Sequence, residues 1–549
     1  MIVPPSVRRL ALLLLCWNLP PPLRAAEPGP AAASGNESRV RAHVAFLSDD
    51  LLEGRAAGTR GHELAMAYMA AQFTRLGLEP AGTEGFRQPM RFRESQLDLE
   101  SGRFVIRHAS GETMLQPIND MIVRPGAAAE TVDVVAAAVF VGFGISAPEF
   151  GYDDFAGGVD VRGKIAVVLT GSPAKLPSTA RAHYSRSKTA ELARRGAVAI
   201  VSVETPTEEK RTPWAIAVSR SRFPTMRLVE PDGSLFEAYP EIRATAGTSR
   251  AAGAALFKHA PQPIEAAFAA SERGEAQAFA LGIEIALGAR AAVKDAASAN
   301  VLARLPGSDP ALAGEPLVVT AHLDHIGLGP PVDGDRLYNG ALDNALGTAV
   351  LLEVAERLAA GPRLRRPVLF AALTAEEKGL LGAYHLSRHV PPGVTRFAAN
   401  LNLDMPVLLG PAANLVALGA EHSTLGAVAA AAAAQSGFAL SADPQPEEVY
   451  FVRSDQYPFV RAGVPALAPK VGGASRDPAI DLAARQADFL KNHYHRPSDT
   501  IALPIHWPSV VRLADFATEV TKAVTNERVA PSWLPGDFFG TRFGGNRAR

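Results

Sequence analysis

From residue 298 to about residue 525 the sequence alternates short apolar runs with amphipathic helical patterns, and this alternation constrains the fold most. The helical pattern "GTAVLLEVAERLAAGP" lies between the first two of the apolar runs and ends at Gly361 and Pro362. Four runs have the length and composition of buried strands: "PLVVTA", "PVLFAALTA", "FAANLNL" and "VPALAP". Strand and helix repeated in this way predict an α/β fold, a mostly parallel central sheet with helices on both faces.

The middle of the chain follows a different pattern. Short β-like runs broken by Gly, Pro and Asp, such as "VVAAAVFVGFGI" and "GKIAVVLTG", predict a separate β-rich domain inserted into the first. We therefore expect a signal peptide and a flexible leader, then the α/β domain in two parts around the insert, and a tail without a clear pattern, over residues 1–26, 27–37, 38–114, 115–295 (the insert), 296–525 and 526–549.

The first residues predict export. Arg8 and Arg9 precede the apolar run 10–17, which is too short to span a bilayer and is followed by prolines and small residues, as in a secretory signal. We expect a periplasmic or secreted protein. A lipid anchor on Cys16 is disfavoured because Leu15 stands where a small residue is usual. Cys16 is the single cysteine, so the mature chain would have no disulfide, and a metal site would need nitrogen and oxygen ligands.

Length and charge narrow the function classes. A chain of 549 residues is long enough for two or three domains. A formal net charge of -1, without a long basic or acidic block, argues against nucleic acid or a membrane surface as a stable partner.

The ends of the predicted strands carry an unusual set of side chains. "PLVVTA" leads into His322 and Asp324, "PVLFAALTA" into Glu376 and Glu377, and "FAANLNL" into Asp404. Each of these is ordinary alone, as are Asp343 at a helix start and His495 in a Pro-containing loop. Ligands of open α/β sheets gather at the carboxyl ends of the strands, so we expect these residues to lie together. A buried carboxylate cluster without a cation is costly, which favours two divalent ions: zinc, with cobalt or manganese as alternatives.

The same residues carry a family resemblance. The segments "AHLDH", "NGALDNALGTA", "TAEEKGLLGA", "LNLDM", "SDQYPF" and "YHRPSD" resemble the di-zinc exopeptidases of metallopeptidase family 28, which include bacterial leucyl aminopeptidase and glutamate carboxypeptidase. The similarity covers about 298–525 and the helical segment near 38–85. The inserted part, with "VFVGFGISAPEFGYDDFAGGVDVRGKIAVVL", resembles the protease-associated domain found in many members.

This resemblance implies a role for each residue of the set. His322 and Asp404 would hold one zinc, Glu377 and His495 the other, and Asp343 would bridge them. Asp324 would orient His322, and Glu376 would be the general base. The resemblance also implies a cis peptide bond between Asp343 and Asn344. Three departures from the family pattern concern specificity rather than chemistry: Leu342, Leu346 (expected to narrow the pocket) and Gln456 (expected to alter a substrate-side hydrogen bond).

The implied activity is hydrolysis of peptide bonds with a metal-bound water, by an aminopeptidase that releases N-terminal residues from short peptides. Four alternatives stay open: a carboxypeptidase, an N-acyl amino acid amidohydrolase with a similar di-zinc site, a non-catalytic receptor-like relative, and a single-metal glutaminyl cyclase relative, which fits the full di-zinc set less well. A receptor-like relative is expected to have lost metal ligands, and an amidohydrolase to carry a different bridge motif from "GALDN".

Overall fold

The computed structural model describes Met1 and residues 35–548. Apart from Met1, the predicted signal peptide lies outside the described residues, as do residues 27–34 of the predicted leader, and the first helix begins at Gly35. Within the described residues, none of the helices combines the length and the apolar character needed to cross a bilayer.

The helices range in length from 4 residues in α6 to 20 residues in α13. They are α1 Gly35–Leu47, α2 Arg60–Arg75, α3 Ser178–Arg194, α4 Pro206–Arg211, α5 Trp214–Arg220, α6 Arg250–Gly253, α7 Ile264–Glu272, α8 Leu346–Ala359, α9 Leu381–Arg388, α10 Leu425–Gln435, α11 Gln456–Arg461, α12 Leu482–Asn492, α13 Trp507–Asn526 and α14 Phe538–Phe543.

The strands are mostly short, with two long exceptions. They are β1 Glu79–Pro80, β2 Arg87–His108, β3 Gly111–Leu115, β4 Met121–Pro125, β5 Thr131–Phe140, β6 Ser146–Ala147, β7 Tyr152–Asp153, β8 Ile165–Leu169, β9 Ala199–Val203, β10 Thr225–Val229, β11 Ala244–Thr248, β12 Phe279–Leu305, β13 Leu317–His322, β14 Gly327–Val332, β15 Asp335–Tyr338, β16 Val368–Leu373, β17 Ala399–Asn402, β18 Asn414–Leu418, β19 Ala439–Ser441 and β20 Ala466–Val471.

The predicted α/β sheet is confirmed. Strands β16, β13, β17 and β20 lie side by side and pair in parallel, and they coincide with the four apolar runs. Alternate side chains of β13 enter different cores: Leu317 and Val319 pack with α1, α2, α8, α10 and α13, whereas Val318 packs with α9 and α11. Helices therefore cover both faces of this sheet. Because both faces of each strand are buried, the strand sequences are continuously apolar.

A second core lies in the middle of the chain. Strands β5, β8, β9 and β11 form a parallel group, and their buried residues pack with helices α3, α6 and α7. The long strands β2 and β12 pair with each other along most of their length, so they run from this part into the α/β domain. Strand β12 pairs with β5 through residues 279–290 and with β16 through residues 301–305. The assignment of residues 115–295 as a protease-associated domain stays a prediction.

The C-terminal tail packs against both parts of the molecule. Phe539 on α14 is fully buried beside His422, Phe451 and Tyr457 of the α/β domain. Its neighbour Phe538 contacts rings of the middle part, among them Tyr184. The tail thus bridges the two cores, although its Gly- and Arg-rich sequence gave no clear pattern.

Candidate metal centre

All seven residues predicted for the site lie at the carboxyl edge of the α/β sheet. Strand β13 ends at His322, β16 is followed by the two adjacent glutamates, and β17 is followed by Asp404. A π-helical turn, 341–345, joins β15 to α8 and holds Asp343. The loop between α12 and α13 brings in His495.

The first group of ligand atoms centres on His322, which is 1% exposed. Its Nε2 lies 3.2 Å from Oδ1 of Asp343 and 3.1 Å from Oδ1 of Asp404. Its Nδ1 lies 3.1 Å from the backbone oxygen of Asp324. Because a carbonyl oxygen can only accept, this hydrogen bond requires the ring proton on Nδ1. The Nε2 lone pair is then free to face a cation.

The second group forms around the other oxygen of the same aspartate. Oδ2 of Asp343 and Oε2 of Glu377 each lie 3.1 Å from Nε2 of His495. The two oxygens of Asp343 therefore face different histidines, which is the arrangement that a bridging carboxylate requires. The Asp343–Asn344 peptide bond is cis, as the resemblance implied.

The donor set fits two divalent cations. Oδ2 of Asp343 is buried and has no hydrogen-bond partner, so the atom that faces His495 is unsatisfied within the protein. Two groups of ligand atoms are close enough to hold an ion each: His322 with Asp343 and Asp404, and His325 with Asp343 and Glu377. Imidazole and carboxylate ligands without thiolate suit zinc, with cobalt and manganese as alternatives.

The adjacent glutamates have opposite electrostatic environments. Burial raises the pKa of Glu376 well above its ordinary value, and the carboxylates of Glu377 and Asp455 act in the same direction. Burial also opposes ionisation of Glu377, but the nearby His495 and the hydrogen bond with His325 lower its pKa to about 2. Neighbouring carboxyl groups with pKa values pushed apart suit different tasks, proton transfer for one and cation binding for the other.

Asp324 supports the site differently from the predicted way. The contact with His322 is made by the backbone oxygen of Asp324, not by its carboxylate. The carboxylate accepts hydrogen bonds from the backbone N–H groups of Glu376 at 3.1 Å and Glu377 at 3.4 Å. Asp324 is fully buried, and burial raises its pKa to about 6. It therefore fixes the loop that carries both glutamates.

Asp499 holds the loop of the bridging aspartate, a role that the sequence did not reveal. Its Oδ1 accepts the N–H of Leu342 at 2.9 Å, and its Oδ2 accepts the N–H of Asp343 at 3.1 Å. The signal was its position four residues after His495.

Arg55 is a second support that the sequence did not reveal. This fully buried guanidinium donates to the backbone oxygens of Leu323 at 3.0 Å, Asn339 at 2.6 Å and Gly340 at 3.1 Å, and also to that of Leu47. It therefore ties the loop after His322 to the loop before Asp343. The pattern of its segment, "LLEGR", predicts the end of a helix, but Glu53, Gly54 and Arg55 have positive φ angles, which are not helical.

The departures from the family pattern lie in the interior. Gln456 is 1% exposed, its Oε1 accepts from Asn402 at 2.9 Å, and its Nε2 donates to the backbone oxygen of Phe451 at 2.7 Å. Leu342 and Leu346 are 0% exposed and belong to the main core. Leu342 and Leu346 are thus used in packing and Gln456 in interior hydrogen bonds, and these contacts do not support the expected roles of Gln456 at the substrate and of Leu346 in the pocket.

A cavity of about 890 Å³ opens beside Asp404. Apolar side chains line most of it, including Met405, Val416 and Leu490, together with Tyr450 and Lys470. Nζ of Lys470 donates to the backbone oxygen of Asp404 at 3.1 Å, so one residue of the cavity wall contacts the loop that carries Asp404.

The middle part of the chain contacts segments that adjoin the site residues. Lys378, directly after the glutamates, donates from Nζ to the backbone oxygen of Pro224 at 3.1 Å. Phe223 packs edge-on against Tyr338 of β15, with ring centroids 5.9 Å apart. The segment 223–224 thus contacts the loop that carries the two glutamates and the strand that precedes Asp343.

Comparison with known proteins gives one family and several relatives. Residues 300–521 match the family description "Peptidase family M28". A probable zinc metalloprotease of Pyrenophora tritici-repentis is 40% identical over 75 residues, which is 14% of this chain and 17% of that protein. Aminopeptidase YwaD of Bacillus subtilis is 40% identical over 88 residues, which is 16% of this chain and 17% of that protein. The matched stretch thus spans about a sixth of these relatives.

The fold is also similar to that of a solved structure. The aminopeptidase from Aneurinibacillus sp. strain AM-1 superposes with a TM-score of 0.53 at 20% identity, over 90% of this chain and 95% of that chain. At this level of identity the similarity concerns the fold, and it extends beyond the α/β domain because it covers nearly all of both chains.

Proposed function

Because residues 300–521 form a Peptidase family M28 domain, we propose that this protein is a zinc-dependent exopeptidase, and specifically an aminopeptidase that releases N-terminal residues from short peptides. The observation that carries the proposal is the carboxylate of Asp343, whose two oxygens face two separate histidines at 3.2 and 3.1 Å. An arrangement that only holds a loop in place does not need a buried carboxylate shared between two imidazoles.

The site residues divide between two cations. His322 and Asp404 would hold one, Glu377 and His495 the other, and Asp343 both. Two zinc ions at these positions would supply Lewis-acid polarisation of a peptide carbonyl and would lower the pKa of water. Cobalt or manganese would serve the same ligands.

Glu376 is the proton-transfer group in this proposal. Its carboxyl group takes a proton from the attacking water and returns it to the nitrogen of the departing amine. The raised pKa of Glu376 favours both halves of this transfer, because a carboxylate of ordinary pKa is a weak base. The hydrogen bond from the Glu376 N–H to Asp324 fixes the backbone that carries this side chain.

The surroundings favour a peptide end over an internal segment. On one side, the cavity beside Asp404 has room for a large apolar side chain. On the other, the contacts of residues 223–224 with Lys378 and Tyr338 narrow the approach. A substrate fixed between these walls presents its terminal bond, which is a positioning effect.

The predicted signal peptide supports export, so we place the enzyme in the periplasm or outside the cell. Short peptides are then its partners, and neither nucleic acid nor a membrane surface is needed.

The test compares one peptide with its N-acetylated twin, each followed by mass spectrometry with and without chelator. We expect stepwise loss of single N-terminal residues, blocked by acetylation and by chelator. Release of C-terminal residues from the acetylated peptide would favour the carboxypeptidase alternative, release of the acyl group the amidohydrolase alternative, and internal fragments would overturn the exopeptidase proposal. Inactivity of zinc-loaded protein on both peptides would favour the receptor-like alternative.

A further inference from the structure

We propose that His325 is a positioning residue of the metal centre: it holds one oxygen of Glu377 and thereby turns the other oxygen toward the cation that Glu377 shares with His495. This inference rests on the proposed function. It assigns a role to the second histidine of "AHLDH", which is not one of the ligands implied by the family resemblance.

The two oxygens of Glu377 face different histidines. Nδ1 of His325 lies 2.9 Å from Oε1, and Nε2 of His495 lies 3.1 Å from Oε2. The first distance is that of a good hydrogen bond. Because Oε1 is engaged by His325, Glu377 offers a single oxygen to the cation.

The hydrogen bonding of the His325 ring identifies its role as donor. Its Nε2 is buried and has no hydrogen-bond partner. A buried N–H without an acceptor is costly, whereas an unprotonated ring nitrogen without a donor costs less, so the proton belongs on Nδ1. Nδ1–H then donates to Oε1 of Glu377.

The protein holds this ring firmly. His325 is 0% exposed, and its backbone N–H donates to the backbone oxygen of Arg55 at 3.2 Å. Gly340 packs directly on the ring: a Cβ atom there would lie 2.5 Å from Cγ and Cδ2 of His325. The glycine of "NGALDN" therefore leaves the space that the imidazole occupies.

A direct ligand role fits the distances less well. Nδ1 of His325 lies 3.8 Å from Oδ2 of Asp343, whereas Nε2 of His495 lies 3.1 Å from the same atom. Nε2 of His495 is therefore close to Oδ2 of Asp343 and to Oε2 of Glu377, whereas Nδ1 of His325 is close to Oε1 of Glu377. A hydrogen bond to a ligating carboxylate typically changes metal affinity 10- to 100-fold.

The test uses the full chain and three replacements of His325. His325→Asn keeps an N–H donor close to the position of Nδ1, whereas His325→Leu and His325→Ala remove it. His43→Leu is the matched control, because it removes another buried imidazole, 6% exposed, whose Nδ1 makes one hydrogen bond, at 2.8 Å, to Tyr68. Metal content, chelator competition and the absorption spectrum of the cobalt form are measured for each, with thermal unfolding as a check on folding.

We expect His325→Leu and His325→Ala to bind one of two metals about 10- to 100-fold more weakly. His325→Asn is expected to bind within about threefold of the unmodified protein, with an unchanged cobalt spectrum, and the His43→Leu control to match the unmodified protein. Native affinity in a folded His325→Leu or His325→Ala protein would overturn the inference. Equal losses in the Asn and Leu variants, or an altered cobalt spectrum in the Asn variant, would overturn it in favour of a ligand role. An unmodified protein that binds no metal would instead overturn the proposed function.

Discussion

The carboxylate of Asp324 accepts the backbone N–H of Glu376 at 3.1 Å, so the acidic residue after one strand fixes the acidic residues after the next. The same aspartate accepts the N–H of Glu377 at 3.4 Å, and its backbone oxygen lies beside Nδ1 of His322. One residue therefore positions a proposed histidine ligand, a proposed carboxylate ligand and the proposed general base.

Replacing Asp324 by Ala is expected to lower both activity and metal affinity. Its loss leaves two N–H groups of the glutamate loop without an acceptor, and the loop then moves. We expect kcat to fall at least tenfold and metal binding to weaken, measured by peptide hydrolysis and chelator competition. Unchanged values for both would show that the loop is held by other contacts.

Glu376→Gln and Glu377→Gln are expected to differ in kind. Glu376→Gln removes the proton acceptor and should lower kcat by about a hundredfold or more while metal content stays at the unmodified level. Glu377→Gln removes a ligand and should reduce metal content. The control is Glu356→Gln, whose side chain pairs with Arg75 outside the site. Similar behaviour of the two variants, or the reverse pattern, would contradict the assignment.

Arg55→Met is expected to destabilise the protein and disturb the metal loops. The substitution leaves several buried backbone oxygens without a donor, which we expect to cost about 3 kcal/mol in the free energy of unfolding. Burial lowers the pKa of Arg55 to about 10, so the guanidinium stays charged at neutral pH. Arg55→Lys should recover only part of the lost stability, because an ammonium group cannot reach the same set of oxygens. Denaturant unfolding and metal content check both variants, and unchanged stability in Arg55→Met would contradict this role.

His183 is expected to make the stability of the protein fall in acid. Burial lowers the pKa of this histidine to about 3, with Arg542 and Arg461 acting in the same direction, whereas the unfolded chain titrates near the ordinary value of 6.5. Between these values the unfolded state binds a proton that the folded state does not, so stability is lost as the pH falls below 6.5. This contribution is about 1.4 kcal/mol per pH unit, or about 2 kcal/mol between pH 6.5 and pH 5.

His183→Asn should remove that slope while keeping a donor for the contact with Tyr457 Oη, which lies 2.9 Å from Nδ1. Denaturant unfolding of both proteins at several pH values measures the difference. Parallel pH profiles would show that His183 does not titrate in this way.

The sequence predicted the parts of the site that follow from local pattern. His322, Glu376, Glu377 and Asp404 come directly after apolar strands, and the carboxyl ends of parallel strands meet at one edge. Other parts depend on distant segments: three hydrogen bonds of Arg55 reach residues 268 to 285 positions away, and Asp499 binds backbone groups about 157 positions away. Such pairings leave no periodic signal in a single sequence.

Two further differences have similar causes. Gln456 has a polar side chain in a segment similar to a family motif, which suggested a substrate contact, but its partners are Asn402 and backbone oxygens of its own loop. Strand β12 runs through the predicted boundary of the insert at residue 295, because a long strand can belong to two cores at once: it pairs with β5 of the middle part and with β16 of the α/β sheet.

The most direct test of the account measures the metal content of the purified chain together with its peptidase activity, before and after chelation and after return of zinc. The account predicts close to two zinc ions per chain, loss of N-terminal residue release when they are removed, and recovery when zinc is restored. Full activity in protein shown to hold no metal would contradict it.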